Sequence, residues 1–196
     1  NIWPDGVADF RVISNTYFDQ AHVVAYALMR GFALGLGLGE NFFLSSPAQP
    51  LSRASYVYYP SQPAPSRNDQ FGAGPHTDFG VLTVLYQDAI GGLQVQDMAG
   101  SWIDAPPMDG TLVINVGDLL ERWTGGAYRS TPHRVINESG QERLSLVLAY
   151  DPGPDTIIDA HQVLGTTAAP VEEPISCGDY LVRRFERAFA YRRTQQ

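Results

Sequence analysis

The sequence contains no lysine, and all 13 of its basic residues are arginines. A Schiff-base lysine, a pyridoxal-phosphate lysine and the lysine of a Walker phosphate loop are therefore excluded within this chain. The single cysteine, Cys177, excludes an internal disulfide bond, a four-thiolate zinc site and an iron–sulfur cluster held by this chain alone. Any metal ion in the protein must be bound through nitrogen and oxygen atoms.

Positive charge and long apolar segments are also scarce. The formal net charge is −8 at pH 7, whereas a nucleic-acid partner normally requires a basic face. No uninterrupted apolar run approaches the roughly 20 residues that cross a bilayer. The one basic cluster lies in the 183–193 segment, where its helical spacing is typical of a solvated helix face. We therefore expect a cytoplasmic protein that binds a small molecule, with neither nucleic acid nor membrane as a partner.

The length of 196 residues is usual for one domain, and we expect residues 1–196 to form a single domain. Apolar residues recur at helical spacing between Thr16 and Leu34 and predict a long helix, which the glycine-rich 35–39 segment would end. Ser176 followed by Asp179 resembles a capping box and predicts a closing helix. The apolar face of that helix would contain Leu181, Val182, Phe185 and Phe189.

Between the two predicted helices the sequence consists of short β-rich runs separated by glycine- and proline-rich turn signals. The runs cover residues 52–59, 81–86, 93–96, 111–116, 131–136 and 143–150. Many short strands at this spacing are typical of a β sandwich or barrel. The Pro-rich 60–75 segment is interpreted as a loop at the rim of the strand region. The predicted fold class is mainly β with flanking helices.

A possible metal site begins at His76-Thr77-Asp78, just before the predicted strand at 81–86. In extended backbone, residues two apart face the same side, so the imidazole of His76 and the carboxylate of Asp78 would converge. His133 lies in a later β-rich run and could face the same cavity. Two histidines and one carboxylate leave octahedral positions open, an arrangement that suits Fe(II) oxygenases. Zinc accepts the same ligands but favours four-coordination with water.

The histidine–aspartate spacing is a weak signal by itself, and a structural interpretation stays open. In that interpretation His76 caps a turn, Asp78 supports a loop and His133 is a hydrogen-bonded core residue. The three residues alone therefore do not separate a metal site from an ordinary set of polar contacts.

The predicted strand at 143–150 alternates in a way that suggests an anion site. Leucines occupy one face, and the other face contains Arg143, Ser145, Val147 and Ala149. A guanidinium and a hydroxyl on one inward face suit a carboxylate, and an unpaired buried arginine would be costly without such a ligand. A second Arg-x-Ser pattern occurs at Arg53-Ala54-Ser55. It precedes the metal motif, and we expect it to lie away from the metal.

The ordered motifs between Pro75 and Pro152 are more specific than any one of them. They are His76-Thr77-Asp78-Phe79-Gly80, Gly92-Leu93-Gln94-Val95, Asn115-Val116-Gly117-Asp118, Ser130-Thr131-Pro132-His133-Arg134-Val135 and Arg143-x-Ser145. In this order the chain resembles the isopenicillin N synthase-like family of 2-oxoglutarate-dependent Fe(II) dioxygenases. Weaker similarity covers nearly the whole chain, from Asn1-Ile2-Trp3-Pro4 to the closing helix.

The resemblance implies a double-stranded β-helix, or jelly roll, in which His76, Asp78 and His133 bind Fe(II). It also implies a domain organisation. Family members normally carry an N-terminal helical and β segment before the region matched here, and we expect this chain to lack that segment.

The resemblance also implies the co-substrate site. It assigns Arg143 and Ser145 to the distal carboxylate of 2-oxoglutarate. Tyr59 matches a tyrosine that often contributes there, although Val57 stands where many plant members have asparagine.

Two further family motifs are interpreted as structural. Asp118 is placed to cap a short helical turn at 119–123. Arg134 alternates away from His133 along its strand. Neither residue is predicted to take part in the chemistry.

The activity implied by the resemblance uses Fe(II), 2-oxoglutarate and dioxygen to oxidise a small molecule, with release of succinate and carbon dioxide. Hydroxylation is the commonest outcome, and desaturation or ring closure are variants. One alternative is a family oxidase that does not use 2-oxoglutarate, in which Arg143-x-Ser145 would bind a substrate carboxylate. The others are a catalytically silent jelly-roll binding module and a zinc hydrolase, for which no general-base glutamate is evident beside the ligands.

Overall fold

The computed structural model of the chain describes residues 1–61, 71–165 and 172–189. Most of the predicted Pro-rich loop and the end of the arginine-rich segment lie outside the described residues. The chain divides into two compact units, residues 1–45 and residues 46–196. The single domain expected from the chain length stays a prediction.

The first unit consists of one long helix and a short 3-10 turn. Helix α1 covers Phe10–Gly35 and the 3-10 turn covers Phe42–Leu44. The helix begins at Phe10, earlier than predicted, and includes both Ser14 and Thr16. Their hydroxyls donate to carbonyls four residues earlier, at 2.6 and 2.9 Å. The glycine-rich stop is confirmed, since Gly37 has a φ of 72° and its N–H donates to a carbonyl of the last turn.

The second unit is built on two antiparallel sheets of four strands each. The strands of the first sheet are β1 (Arg53–Tyr59), β3 (Leu82–Gln87), β6 (Val113–Val116) and β8 (Arg143–Tyr150). Those of the second sheet are β2 (Ala73–His76), β4 (Leu93–Gln96), β5 (Trp102–Asp104) and β7 (His133–Val135). In the first sheet the order is β1-β8-β3-β6, and in the second it is β2-β7-β4-β5. Consecutive strands alternate between the sheets except at β4–β5, which confirms the predicted jelly roll.

The remaining elements of the second unit are short except for the closing helix. They are α2 (Asp118–Trp123), β9 (Ile157–Ile158), α3 (His161–Leu164), β10 (Ile175–Ser176) and α4 (Cys177–Ala188). The predicted cap of α4 is confirmed, because the Asp179 N–H donates to the Ser176 hydroxyl at 3.1 Å. Of the predicted apolar face, Leu181 is buried. Val182 is 55% exposed and was wrongly included, and Phe189 is 42% exposed and follows the last residue of the helix.

The two faces of the first sheet differ in character. Val84 and Leu148 lie directly opposite each other on β3 and β8, and both are fully buried. Burial of each such side chain stabilises the fold by roughly 1.5–3 kcal/mol relative to its exposed state. The other face carries Thr83, Gln87, Asn115, Arg143 and Ser145, because directly paired residues share a face. The same face also carries apolar residues such as Leu85 and Val113, and polar side chains among them mark this side of the sheet as the place to look for a site.

Candidate active site

The three predicted metal ligands are brought together at the junction of the two sheets. His76 ends β2 and His133 begins β7, and the two residues are directly paired with ring centroids 4.3 Å apart. Asp78 follows in the turn after β2, with its Oδ1 3.7 Å from Nε2 of His133. One possible ligand atom from each residue lies within 4.8 Å of the other two, and the described residues contain no second such cluster.

Hydrogen bonds to backbone carbonyls orient both imidazoles. Nδ1 of His76 lies 2.7 Å from the Gly74 carbonyl, and Nδ1 of His133 lies 3.1 Å from the Thr131 carbonyl. A carbonyl can only accept, so each Nδ1 carries the proton. Each Nε2 is then left with the lone pair that a metal requires. This is the usual way in which a protein selects the tautomer of a ligating histidine.

Asn115 holds the carboxylate of the cluster. Its Nδ2 donates to Oδ2 of Asp78 at 2.8 Å, which leaves Oδ1 of Asp78 facing His133. Sequence reasoning quoted Asn115 only as part of a motif and missed this contact. A strand residue shortly before a helix, on the polar face of the sheet, is too common a signal to identify such a role.

The turn that carries Asp78 is tied to the start of α2. The Asp118 N–H donates to the Asp78 carbonyl at 2.8 Å, and the carboxylate of Asp118 accepts from the Thr77 hydroxyl at 3.1 Å. Arg184 of α4 forms an ion pair with the same carboxylate at 2.5 Å. The predicted capping role of Asp118 is wrong, because Gly117 is the N-cap residue and no side-chain cap bond is present. The carboxylate is used by Thr77 and Arg184 instead.

Gly117 allows this turn to approach the helix start closely, so Gly117→Ala is expected to disrupt it. A Cβ at position 117 would lie 2.1 Å from the carbonyl oxygen of Gly80 and 3.1 Å from that of Asp78. Backbone atoms cannot move aside as a flexible side chain can, and we expect a loss of about 1–3 kcal/mol in the free energy of unfolding, with weakened metal binding. Urea denaturation and Mn(II) titration measure the two effects. Gly39→Ala is the control, since a Cβ there meets no atom within 4 Å.

The predicted carboxylate anchor is buried and incompletely satisfied. Arg143 and Ser145 are each 1% exposed. The Arg143 guanidinium donates from Nε to the Gly91 carbonyl at 2.6 Å and from Nη2 to Oε1 of Gln87 at 3.3 Å. Its Nη1 and the Ser145 hydroxyl have no hydrogen-bond partner among the described residues. Because leaving such groups unpaired costs about 1–3 kcal/mol each, they indicate a missing acceptor.

Tyr59 lies where the resemblance placed it, beside the anchor. It is directly opposite Arg143 in the ladder between β1 and β8, and its ring centroid is 4.7 Å from Cζ of the arginine. Stacking of this kind orients a guanidinium. Val57, the departure from the plant pattern, pairs with Ser145 in the same ladder. Direct contact of Tyr59 with a co-substrate stays a prediction.

The anchor lies on the same face of the first sheet as Asn115, the residue that holds Asp78 of the metal cluster. Asn115, which holds Asp78, pairs with Thr83, and Thr83 pairs with Ala149 near the end of the predicted anchor strand. Arg143, Ser145 and Ala149 are separated by even numbers of residues, so their side chains point to the same side. The face that reaches the three ligands is therefore the face that carries the unpaired donors.

Arg134 points away from the cluster, as predicted. Its Nε donates to Oε1 of Gln94 at 2.7 Å, and its guanidinium lies 4.3 Å from the ring centroid of Trp102. These contacts lie within the second sheet and give Arg134 a structural role.

A fully buried carboxylate, Asp151, follows β8 close to the metal turn. Its Oδ1 accepts from the Val81 N–H at 2.9 Å, and its Oδ2 has no hydrogen-bond partner among the described residues. Burial raises the pKa of Asp151, and the charge of Asp78 adds to the increase; the Val81 hydrogen bond and the charge of Arg53 oppose it. Sequence reasoning missed Asp151 entirely.

The raised pKa of Asp151 predicts a pH-dependent contribution to stability. The folded protein holds this proton more tightly than the unfolded chain, whose carboxyl ionises near the ordinary value of 3.8. The contribution is therefore most favourable below that value and is lost as the pH rises through the folded pKa. The unfolding free energy of the wild type minus that of Asp151→Asn should fall across a urea series from about pH 4 to 8. A difference that stayed constant or rose would contradict the raised pKa.

A jelly roll that brings two histidines and one carboxylate together and buries an arginine on the same sheet face as their support has the arrangement of the non-haem Fe(II) oxygenases. The family profile of the 2OG-Fe(II) oxygenase superfamily matches residues 48–152. The chain belongs to this family. The resemblance stated from the sequence motifs is therefore confirmed, and so is the jelly-roll fold.

Relatives and solved structures agree with this assignment. The chain is 43% identical over 161 residues to a probable iron/ascorbate oxidoreductase of Dictyostelium discoideum, covering 74% of this chain and 44% of the relative. It is 39% identical to a homoarginine-6-hydroxylase of Glycine max, covering 81% of this chain and 50% of the relative. The chain thus spans about half the length of these curated relatives.

A solved structure shows the same fold with alpha-KG bound. The crystal structure of a full-length Neurospora crassa protein in complex with alpha-KG and thymine matches with a TM-score of 0.88 and 34% identity, over 95% of this chain and 60% of that chain.

In the described residues of the present chain, no helix is both long and apolar enough to cross a membrane.

Proposed function

We propose that this chain carries the catalytic core of an Fe(II)- and 2-oxoglutarate-dependent dioxygenase that oxidises a small organic molecule. The observation that carries the proposal is one shared sheet face. It carries two buried donors without acceptors, and through Asn115 it holds the carboxylate of a cluster that also contains two imidazoles. A ligand with a metal-chelating group at one end and a carboxylate at the other would use both the cluster and the unpaired donors.

The residues present fit Fe(II) and 2-oxoglutarate. His76 and His133 would offer Nε2 and Asp78 would offer Oδ1, which leaves the remaining positions of an octahedron open. When bound, the iron and 2-oxoglutarate would activate dioxygen, and conversion of 2-oxoglutarate to succinate and carbon dioxide would supply the oxidising power for the substrate.

The chain's own contribution is binding and orientation. Arg143 would bind the distal carboxylate through Nη1, with the Ser145 hydroxyl as a second donor, while Gly91 and Gln87 hold the guanidinium in place. Asn115 would keep the Asp78 carboxylate directed at the metal. Burial of Arg143 excludes competing water and strengthens its attraction for an anion.

The proposed activity is tested by quantifying succinate. Aerobic protein with Fe(II) and 2-oxoglutarate is incubated with a library of small molecules, and succinate is measured for each compound against a no-compound blank. We expect at least one compound to stimulate succinate formation in proportion to its own oxidation. Substrate oxidation without succinate would favour the alternative of an oxidase that does not use 2-oxoglutarate.

The metal requirement separates the oxygenase from a zinc hydrolase or a binding module. Among divalent metals, we expect only Fe(II) to support turnover, because the reaction requires a redox-active centre with open positions. Mn(II), Co(II), Ni(II) and Zn(II) can bind to the same three side chains. Zinc should inhibit in competition with Fe(II). Activity of a zinc-loaded, iron-free preparation would overturn the oxygenase proposal, and failure to bind Fe(II) at micromolar concentration would favour the binding module.

A further inference from the structure

The second Arg-x-Ser pattern lies on the same sheet face as the first, contrary to the expectation that it would lie away from the metal. Strands β1 and β8 pair antiparallel, with Arg53 opposite Ala149 and Ser55 opposite Val147. Directly paired residues share a face, so Arg53 and Arg143 point to the same side. Sequence order could not reveal this, because it does not contain the register of the ladder.

Arg53 belongs to the row of residues that reaches the metal cluster. The row runs from Arg53 through Ala149 and Thr83 to Asn115, whose amide holds Asp78. Arg143 begins β8, and Ala149 lies about 20 Å further along the strand. The two guanidinium groups therefore start from opposite ends of one face, and a co-substrate bound at Arg143 leaves Arg53 for another ligand.

Arg53 is oriented but not satisfied. Its guanidinium lies over the Phe185 ring, with Cζ 5.2 Å from the centroid, and its Nη1 is 3.8 Å from Oδ2 of Asp151. At that distance the two groups form an ion pair but no hydrogen bond. The Arg53 side chain makes no hydrogen bond to any of the described residues. The arginine side chain is 48% exposed, whereas the Asp151 side chain is fully buried. The Phe185 ring and the buried carboxylate orient the guanidinium, and about half of the arginine side chain remains accessible to a ligand.

A merely structural pairing of Arg53 with Asp151 accounts for these contacts poorly. A guanidinium that only neutralised a buried carboxylate would be expected to donate to Oδ2, which instead has no hydrogen-bond partner among the described residues. Instead, Nη1 of Arg53 lies 3.8 Å from Oδ2 of Asp151, and the arginine side chain is partly exposed.

We propose that Arg53 binds a carboxylate of the primary substrate, with the exposed Ser55 hydroxyl as a second donor, so that the substrate class is an organic acid. The inference rests on the function proposed above and deepens it. Arg143 and Ser145 bind 2-oxoglutarate, and Arg53 and Ser55 bind the substrate acid.

The test uses protein loaded anaerobically with Mn(II) and 2-oxoglutarate, which fills the site without turnover. The probes are aliphatic, aromatic and amino-acid monocarboxylates, each paired with its primary amide. Paramagnetic broadening of the probe protons by Mn(II) reports binding next to the metal. We expect acids to be broadened in preference to their amides, and Arg53→Gln to weaken acid binding about ten- to a hundredfold, the scale of a hydrogen bond to a charged group.

Matched variants keep the test decisive. Arg129→Gln removes the same charge from an exposed arginine whose Nη1 contacts the sulfur of Met98, and should leave acid binding unchanged. Arg53→Lys should retain part of it. If Arg53→Gln unfolds because Asp151 loses its counter-charge, the double variant Arg53→Gln/Asp151→Asn removes the buried charge and should fold without binding acids.

The outcomes separate this inference from the proposed function. Failure of 2-oxoglutarate to bind the Mn(II) protein would remove the proposed function itself. Normal 2-oxoglutarate binding, together with acids that bind no better than their amides or that bind Arg53→Gln as tightly as the wild type, would overturn the role of Arg53 alone.

Discussion

Replacement of His76, Asp78 or His133 by alanine is expected to reduce substrate-dependent succinate formation to the level of a protein-free blank. Each residue would supply one of the three proposed ligands, and loss of one ligand should cost more than the roughly 10–100-fold that follows when only a residue supporting a ligand is changed. The three variants should fail equally, because any two remaining ligands leave the metal loosely bound.

The fold should survive these substitutions. The His133 and Asp78 side chains are 14% and 24% exposed and His76 is exposed, so none fills the hydrophobic core. Circular dichroism and urea denaturation check the fold, and Mn(II) titration checks the site. Asn115→Ala is the comparison variant, since it removes only the support of Asp78 and should retain measurable turnover. Full activity in any of the three alanine variants would remove that residue from the metal site.

Replacement of Arg143 by glutamine is expected to weaken 2-oxoglutarate binding by about 1.5–3 kcal/mol, or roughly ten- to a hundredfold. Arg143 carries the unpaired Nη1 that would meet the distal carboxylate. Ser145→Ala should cost less, because a neutral hydroxyl contributes a weaker bond than a guanidinium. Arg143→Lys should rescue part of the loss, since a point charge cannot reproduce the fork of donors.

The control for the anchor is the other arginine of the same face. Arg53→Gln should leave the dissociation constant of 2-oxoglutarate nearly unchanged, because Arg53 lies at the opposite end of the face. Titration of 2-oxoglutarate into the anaerobic Fe(II) protein measures all four variants. Normal binding by Arg143→Gln, or a loss confined to Arg53→Gln, would show that the anchor has been placed at the wrong end.

The main strands of the first sheet could be predicted because their apolar residues alternate over six or more positions. Arg143–Tyr150 was predicted with its observed bounds, and Arg53–Tyr59 to within one residue. Short strands were missed for a physical reason. Ala73–His76 contains glycine and proline, which disfavour strand backbone, and Ile157–Ile158 is too short to show any alternation.

The structure brings the three predicted metal ligands together. The sequence could predict this because histidine and aspartate are residue types that bind metals. Their supports were not predictable, because they depend on contacts between distant positions. Asn115 holds Asp78 from 37 positions away, and Asp118 accepts from Thr77 across 41 positions. Asp118 shows how a local pattern can mislead. An aspartate at a helix start predicts a helix cap, but its carboxylate contacts the distant residues Arg184 and Thr77 instead.

We propose that one cluster and one buried arginine together bind Fe(II) and 2-oxoglutarate. Anaerobic absorption spectroscopy of the Fe(II) protein during 2-oxoglutarate addition tests it most directly, because chelation of the metal by the co-substrate produces a visible charge-transfer band. The account predicts a saturable band in the wild type, no band in Asp78→Ala, and a band of normal shape at roughly ten- to a hundredfold higher 2-oxoglutarate in Arg143→Gln. An unchanged band in Asp78→Ala, or no band in a folded wild-type protein that binds Fe(II), would contradict it.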